Sequence, residues 1–435
     1  MVSLIQAEIF PFRCVERQQT MEFPTRQTVL TGENEAGKTT ILECLAKANY
    51  YSRADKRFQY QLEMDYPKRK LRELEGIPKA VKLIYSVSEK LDAKILEEMM
   101  IPVRGRNFAR TAYYDGTYEI DGNDFVYDPK EFWEAYAARK ATGLLPYTEQ
   151  LAKIKTETDF DRFKMQIAAE AGSKVMAELR LAKKYIKNHL KWDNPINEYV
   201  YRTKILPEIP RFLYYDACYM LPSKIPMKAL LSKEHLTPSD RTAQALLSLT
   251  GIPVEKMIQD VSLSSYMNDL EIAQAELNEE ILPYWSSNPD LRIEFTLQRE
   301  EMAEKPAGRR WWFRKKTDYE IISETWLEIR VKDVRTMVSL PLEKRSRGFN
   351  WFFSFWVWFQ AIEKMEVAPY ILLIDEPGMH LHQNAQGDLM KFLGILSKTY
   401  QMIYTTHSPY MWEEEKQTIY NIKNVGNGTE IRRKI

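Results

Sequence analysis

The stretch Gly32-Glu33-Asn34-Glu35-Ala36-Gly37-Lys38-Thr39-Thr40 fits the spacing G-x-x-x-x-G-K-[ST], with Gly32, Gly37, Lys38 and Thr39 in the fixed places. A polyphosphate needs what this spacing supplies. Such a loop turns its backbone N–H groups inward around phosphate oxygens, and the two glycines allow the turns and the close approach. Lys38 would reach the terminal phosphates, and the Thr39 hydroxyl would hold Mg2+. The helix that follows would aim the positive end of its dipole at the same anion. A second stretch, Tyr370-Ile371-Leu372-Leu373-Ile374-Asp375-Glu376, is an apolar run that ends in two carboxylates. Asp375 would hold Mg2+ through its water shell. Glu376 would orient and deprotonate an attacking water. A strand that merely ends in acids is the plain alternative, and the phosphate loop in the same chain outweighs it. Further on, Met402-Ile403-Tyr404-Thr405-Thr406-His407 is a short strand ending in a histidine. A histidine there can touch the γ-phosphate or the water and sense the nucleotide state. Of the five histidines (His189, His235, His380, His382, His407), only His407 has this strand-end context.

Several elements must position these groups. Residues 26–30 read as a strand running into the loop, and residues 41–46 as the helix leaving it. Residues 370–374 are apolar on both faces, which suits the centre of a parallel sheet. Acids at its carboxyl end lie where α/β sheets place chemistry. Ahead of the loop, residues 1–30 read as two strands, the first ending at Ile9-Phe10-Pro11-Phe12-Arg13. Residues 80–87 alternate like a strand, and residues 111–126 look like hairpin material with turns at Asp115-Gly116 and Asp121-Gly122. These predict a β lobe beside the loop. Residues 129–202 are rich in Ala, Lys, Glu and Leu without a long heptad array. They predict a compact helical arm, coiled-coil-like only over short stretches. Residues 209–217 read as a strand returning to the core, and residues 222–290 as helical, with a helix start at Thr237-Pro238-Ser239-Asp240. Residues 291–297 and 325–331 read as strands. Between them Arg309-Arg310-Trp311-Trp312-Phe313-Arg314-Lys315-Lys316 sets five cations around three aromatics. Such a cluster can pair with phosphates and stack on bases; a solvated hairpin tip is the plain alternative.

The composition is that of a globular protein, with 44% hydrophobic and 28% charged residues in a chain of 435. A net charge of +1 gives no global basic field, so any nucleic-acid contact must come from a local patch. The three cysteines, Cys14, Cys44 and Cys218, form no CxxC pair. Packed thiols in a reducing compartment fit better than a disulfide scaffold or a zinc site. The first eight residues carry no basic segment before an apolar run, so no signal peptide is expected. The most apolar stretch, residues 349–359, is shorter than the roughly 20 residues needed to span a bilayer and reads as a core helix. A cytoplasmic protein is expected.

Three motifs together, Gly32 to Thr40, Leu372-Leu373-Ile374-Asp375-Glu376-Pro377-Gly378-Met379-His380-Leu381-His382 and Thr405-Thr406-His407-Ser408-Pro409, resemble the ABC-type ATPases of the OLD (overcoming lysogenization defect) group. That group is related to the SMC and DNA-repair ATPases. Glu343-Lys344-Arg345-Ser346-Arg347-Gly348-Phe349 resembles the signature segment of one subgroup. The resemblance implies an α/β fold: an ABC-type P-loop head with a β lobe and a helical insertion. The expected division is residues 1–128 for the first half of the head with its lobe, 129–290 for the helical insertion and 291–435 for the second half. It implies ATP and Mg2+ as ligands, held by Gly32, Asn34, Glu35, Ala36, Gly37, Lys38, Thr39 and Thr40, with Asp375 as the second metal residue. Glu376, His407 and Lys38 would be the catalytic set. It also implies head-to-tail dimers, with Ser346 and Gly348 of one copy capping the γ-phosphate bound by the other, and Arg13 reaching the phosphates. Gln59 and Gln61 are weak candidates for the Q-loop glutamine. His382 stands where transporters carry an Asp, which makes His380 and His382 dimer-interface candidates.

Many OLD-type proteins carry a Toprim nuclease domain after the ATPase, and the residues after His407 are too few for one. The expectation is therefore an ATPase that controls a separate effector of nuclease type, with a phage-encoded trigger. A PARIS-type anti-phage system is the nearest resemblance. An SMC-like ATPase of DNA repair, contacting DNA through residues 309–316, is the alternative. A transporter subunit fits less well, because the transporter form of the loop after Glu376 is missing.

Overall fold

The computed structural model of the chain describes residues 1–121, 125–231, 236–259, 263–306, 319–365, 369–379, 381–426 and 428–434. The basic-aromatic cluster at residues 309–316, the turn residue Gly122, and His235 and His380 lie outside these described residues. The first strands are β1 (Val2–Ile9), β2 (Gln19–Glu22), β3 (Gln27–Thr31), β4 (Lys79–Val87), β5 (Asn107–Tyr113) and β6 (Tyr118–Asp121). There follow β7 (Arg211–Tyr215), β8 (Lys224–Pro226), β9 (Leu291–Pro306), β10 (Tyr319–Asp333) and β11 (Val338–Pro341). The last are β12 (Tyr370–Ile374), β13 (Gln401–Thr406), β14 (Thr418–Asn424) and β15 (Thr429–Arg433).

The sheet under the phosphate loop has the order β15-β14-β3-β13-β12-β7. All its neighbours pair in parallel except the β14–β15 hairpin. Register decides where the chemistry emerges. Thr31 pairs with Thr406, and Ile374 pairs with both Tyr404 and Tyr215. The phosphate loop, Asp375, Glu376 and His407 therefore leave the sheet along one edge, together with Asp216. Because side chains alternate along a strand, β12 feeds two cores. Ile371 and Leu373 join one buried cluster with the phosphate-loop helix (Lys38–Ala48) and the β lobe. Leu372 and Ile374 join the other, with the aromatic helix (Arg347–Met365).

The β lobe is an antiparallel sheet of order β2-β1-β4-β5-β6. Three strands, not two, precede the loop; β2 is short and pairs back on β1. The insertion is helical and compact. Its large aromatics Phe132, Trp133, Tyr136 and Tyr185 are buried in the same cluster as the lobe, so these helices lie against the head and do not stand away from it as an arm. Residues 222–290 are not uniformly helical. The short β8 pairs with β10 in a further antiparallel sheet, which also holds β9 and β11. The helix Pro238–Thr250 begins as expected: Thr237 and Asp240 form a reciprocal capping box. The aromatic helix is a core helix. Phe352, Phe353, Phe355 and Val357 are fully buried, and Trp351, Phe355 and Trp358 surround Tyr215 at centroid distances of 5.0–5.4 Å. Among the described residues no helix is long and apolar enough to cross a membrane.

One tie fastens the helix after β12 (Gln383–Leu396) to the segment before β9. The buried Asp388 carboxylate accepts from the Ser286 and Ser287 hydroxyls and from Ser287 N at 2.6 Å. Burial alone would raise its pKa, but these hydrogen bonds and Lys391 hold it below the usual carboxylate range. A carboxylate lowered on folding stabilises above its unfolded pKa, and that contribution is lost as pH falls through the folded value. Asp388→Asn should cost about 1–2 kcal/mol at neutral pH and lose less stability than the parent on acidification below about pH 4. Urea unfolding at pH 7 and pH 3 checks this; parallel losses in both proteins would contradict it.

Candidate active site

The loop is built by two glycines and braced from behind. Gly32 has φ +151° and Gly37 has φ +105°. A Cβ on Gly32 would sit 2.3 Å from the Ile422 carbonyl oxygen, and one on Gly37 would sit 2.6 Å from Thr429 Oγ1 and 2.9 Å from Cys14 Sγ. Ile422 lies on β14 and Thr429 opens β15, so the last hairpin backs the loop. Thr429 Oγ1 donates to Ala36 O at 2.9 Å, and Thr31 Oγ1 donates to Tyr420 O at 3.2 Å. Behind the loop, Cys14 Sγ approaches Thr40 Oγ1 at 3.5 Å. Lys38 begins the helix and is buried. Its Nζ donates to Gly32 O at 2.9 Å and Glu33 O at 3.0 Å. Glu35, at φ +62°, turns the rim, and Glu33, Asn34 and Glu35 are exposed there.

The carboxylates meet the loop directly. Thr39 Oγ1 donates to Asp375 Oδ2 at 2.8 Å. Thr405 Oγ1 donates to Asp375 Oδ1 at 2.7 Å, and Tyr214 OH to Oδ2 at 3.3 Å. Burial raises the Asp375 pKa; the hydrogen bonds from Thr405 and Thr39 oppose it, Glu376 and Asp216 add to it, and the net shift is upward. Glu376 adopts φ +47°, an uncommon conformation for a residue with a side chain. That turn lets Glu376 N donate to Thr405 Oγ1 at 2.7 Å. One carboxylate oxygen, Oε1, then lies 3.2 Å from Lys38 Nζ and the other 3.0 Å from His407 Nδ1. His407 is 46% exposed, so the imidazole stays open to solvent and ligand. Lys38, Thr39, Asp375, Glu376 and His407 thus converge within direct contact. The oxygens of Thr39 and Asp375 are the hard donors that Mg2+ takes, alongside water and phosphate.

Other expected residues lie elsewhere. The Arg13 guanidinium pairs with Glu43 and, at 2.9 Å, with Asp65, so its ion pairs are with these acids beside the loop helix and not with the loop. Gln59 donates to Arg53 O, and Gln61 N donates to Asp65 Oδ2; neither meets the loop. Ser346 caps the aromatic helix, accepting from Phe349 N at 3.2 Å. Gly348 lines a hollow of about 270 Å3 with Asp216, Cys218, Asp375, Glu376 and Met379. Asn34 lines a larger cleft, about 690 Å3, with Gly32, Glu33, His407, Trp412 and Lys423. His382 is exposed and caps the helix Gln383–Leu396.

Sequence reasoning passed over Asp216. It follows β7 where Asp375 follows β12, and Asp375 N donates to Tyr215 O at 2.9 Å. Its carboxylate pairs with Arg57 and accepts from Cys218 N at 2.9 Å. The signal was present: Phe212-Leu213-Tyr214-Tyr215-Asp216 repeats the pattern of an apolar run ending in an acid.

A family model described as AAA ATPase domain matches residues 4–412. An uncharacterized protein of Methanocaldococcus jannaschii is 31% identical over 101 residues, 22% of this chain and 26% of that protein. The chain thus spans about a quarter of the length of that curated relative. Among solved structures, the SMC head domain from Thermotoga maritima is 11% identical, covering 99% of this chain and 99% of that one, with a TM-score of 0.38. An Smc head domain with an extended coiled coil, bound to the C-terminal domain of ScpA and derived from Pyrococcus furiosus, is 14% identical, covering 100% and 96%, with a TM-score of 0.42.

Gly32→Ala tests the brace. The added methyl meets backbone, which cannot step aside as a flexible side chain would. ATP affinity should fall by at least about tenfold, equivalent to roughly 1.4 kcal/mol, when titrated with a fluorescent ATP analogue. Unchanged affinity would mean that the hairpin does not set the loop.

Proposed function

The chain belongs to the AAA ATPase domain family, and on that premise we propose that it is an ATP-driven switch whose hydrolytic site is shared between two copies arranged head to tail. It binds ATP and hydrolyses it. The observation that carries the mechanism is the double contact across the sheet edge, Thr39 to Asp375 at 2.8 Å and Lys38 to Glu376 at 3.2 Å. The loop N–H groups receive the phosphates, and Lys38 turns from Glu376 and its carbonyl partners to the terminal oxygens. Thr39 and Asp375 would hold Mg2+, which would supply positive charge against the phosphate oxygens. Glu376 orients the attacking water and takes its proton. His407, on the far oxygen of Glu376, keeps that carboxylate aimed and faces the γ-phosphate.

Ser346 and Gly348 complete the site from the second copy. Ser346 is exposed at the N-terminus of a long, buried helix, and among the described residues its hydrogen bonds are with Phe349 N and Asn350 N of that helix. An exposed helix start offers N–H groups to an anion. The switch acts on a separate effector, of Toprim-like nuclease type, in defence against phage, and a phage-encoded protein is its trigger. Support for that role is the combined motif set from Gly32 to Thr40, Leu372 to His382 and Thr405 to Pro409. The second reading, a DNA-directed ATPase of the SMC kind, draws on the basic-aromatic run from Arg309 to Lys316. DNA-stimulated hydrolysis that is lost on changing Arg309, Arg310 and Arg314 to Ala would favour it. Co-purification of a nuclease from the native operon favours the first.

Lys38→Ala should weaken ATP binding in equilibrium titration. Glu376→Gln should retain binding but slow hydrolysis by about 10²–10⁴-fold and trap the ATP-bound dimer; full turnover would refute the role of Glu376. Mixing a Lys38→Ala chain with a Ser346→Ala chain should restore one competent site per dimer, seen as ATPase activity that neither chain has alone.

A further inference from the structure

Among the described residues, four charges around the site form no ion pair. On the loop rim Glu33 and Glu35 are exposed, and on either side of Ser346 so are Lys344 and Arg347. Their neighbours in the signature segment are engaged: Glu343 Oε1 accepts from Ser223 N at 3.1 Å, and Arg345 donates to the carbonyls of Val331 and Val338. Lys423 lines the same cleft as Glu33 yet forms no ion pair with either rim acid.

Both pairs stand in places that become electrostatically unfavourable, the cations at a helix N-terminus within one chain and the acids once the loop takes a polyanion. Arg347 is the first residue of the aromatic helix and Lys344 precedes it, so two cations sit at the positive end of a helix dipole. Glu33 and Glu35 sit on the rim of a loop that must take a polyanion. The cation of that loop, Lys38, is buried beneath them and tied to Glu376. Each pair is what the other lacks. We infer that Lys344 and Arg347 of one copy dock on Glu33 and Glu35 of a second copy, neutralising the loop rim as Ser346 approaches the γ-phosphate. The inference rests on the head-to-tail reading and names the charges that set its register. Charge complementarity of this kind steers association and fixes register more than it adds affinity.

The test uses full-length chains carrying Glu376→Gln, with ATP and Mg2+, and measures dimer formation by sedimentation. Glu33→Lys/Glu35→Lys places like charges at both contacts of its own dimer, and so does Lys344→Glu/Arg347→Glu. Each alone should dimerise at least about 100-fold more weakly than the parent. Mixed together, the two chains oppose unlike charges at both contacts and should form a heterodimer near parental affinity. Because all four residues are exposed, melting temperatures near the parent serve as the folding control. Fluorescent ADP affinity is measured for each separate chain and dimerisation is compared at saturating ATP, so that a change in nucleotide binding does not pass for loss of the contact. Parental dimerisation of either charge-reversed chain would overturn the inference, and so would failure of the mixture to recover. If the parent itself does not dimerise with ATP, the head-to-tail reading falls and the inference with it.

Discussion

A buried carboxylate is costly unless its oxygens are satisfied, and Asp375 meets that requirement with hydroxyls alone. The donors come from three places: Thr39 at the start of the loop helix, Thr405 near the end of β13 and Tyr214 on β7. One side chain therefore gathers four chain segments at the sheet edge. Had Asp375 been paired with a cation, the sheet edge beside the phosphate loop would hold a fixed counter-charge. Hydroxyl partners leave the negative charge available, and the upward pKa shift shows how far burial outweighs them. The same Thr405 hydroxyl accepts from Glu376 N, so Asp375 and Glu376 are both set by a single threonine.

The second constraint is steric. The loop can close only where no Cβ stands between it and the last hairpin, at Gly32 against Ile422 and Gly37 against Thr429 and Cys14. The loop at residues 32–37 is thus held from the far end of the chain by Ile422 and Thr429, as well as by Cys14 just ahead of it. On its other side the loop helix carries a line of alternating charges. Lys47 pairs with Asp65, Asp65 with Arg13, Arg13 with Glu43, Glu43 with Arg57, and Arg57 with Asp216. Burial would lower the Arg13 pKa, but Glu43 and Asp65 outweigh it and hold the guanidinium charged.

How much of this was legible in the sequence follows from the range of each signal. The loop spacing is local and needs no partner, so Gly32 to Thr39 could be read directly. The run from Tyr370 to Ile374 is apolar on both faces, and the structure buries every one of its residues. The aromatic helix was legible for the same reason. Signals that depend on a distant partner were not. Nothing in Ile422 or Thr429 shows that they back a glycine loop, because the contact is a backbone oxygen and a hydroxyl. Arg13 was placed at the phosphates by resemblance, and the acids that engage it, Glu43 and Asp65, carry no motif. Residues 222–290 read as helical because the three-residue β8 is too short to show a period and is defined only by its pairing with β10.

Asp216 shows where the two kinds of signal meet. Its local pattern matches that of Asp375, yet its position matters only through register, since Tyr215 and Ile374 are paired neighbours. That register sets Asp216 beside Asp375, where its charge raises the Asp375 pKa. Arg57 limits the repulsion by engaging Asp216, and it also lies 5.0 Å from the Tyr214 ring, the residue whose hydroxyl reaches Asp375. The line of charges along the loop helix therefore ends at Asp216, beside Asp375. The ion pairs run without a break from Lys47 to Asp216, and from there only the repulsion between the two acids reaches Asp375. Removing Arg57 would leave the Asp216 carboxylate at the end of the line without its ion pair, which is the costly outcome for a partly buried charge. The β lobe, which supplies Arg13 through the turn after β1, is in this way joined to the chemistry by charge, while the sheet is joined to it by hydroxyls.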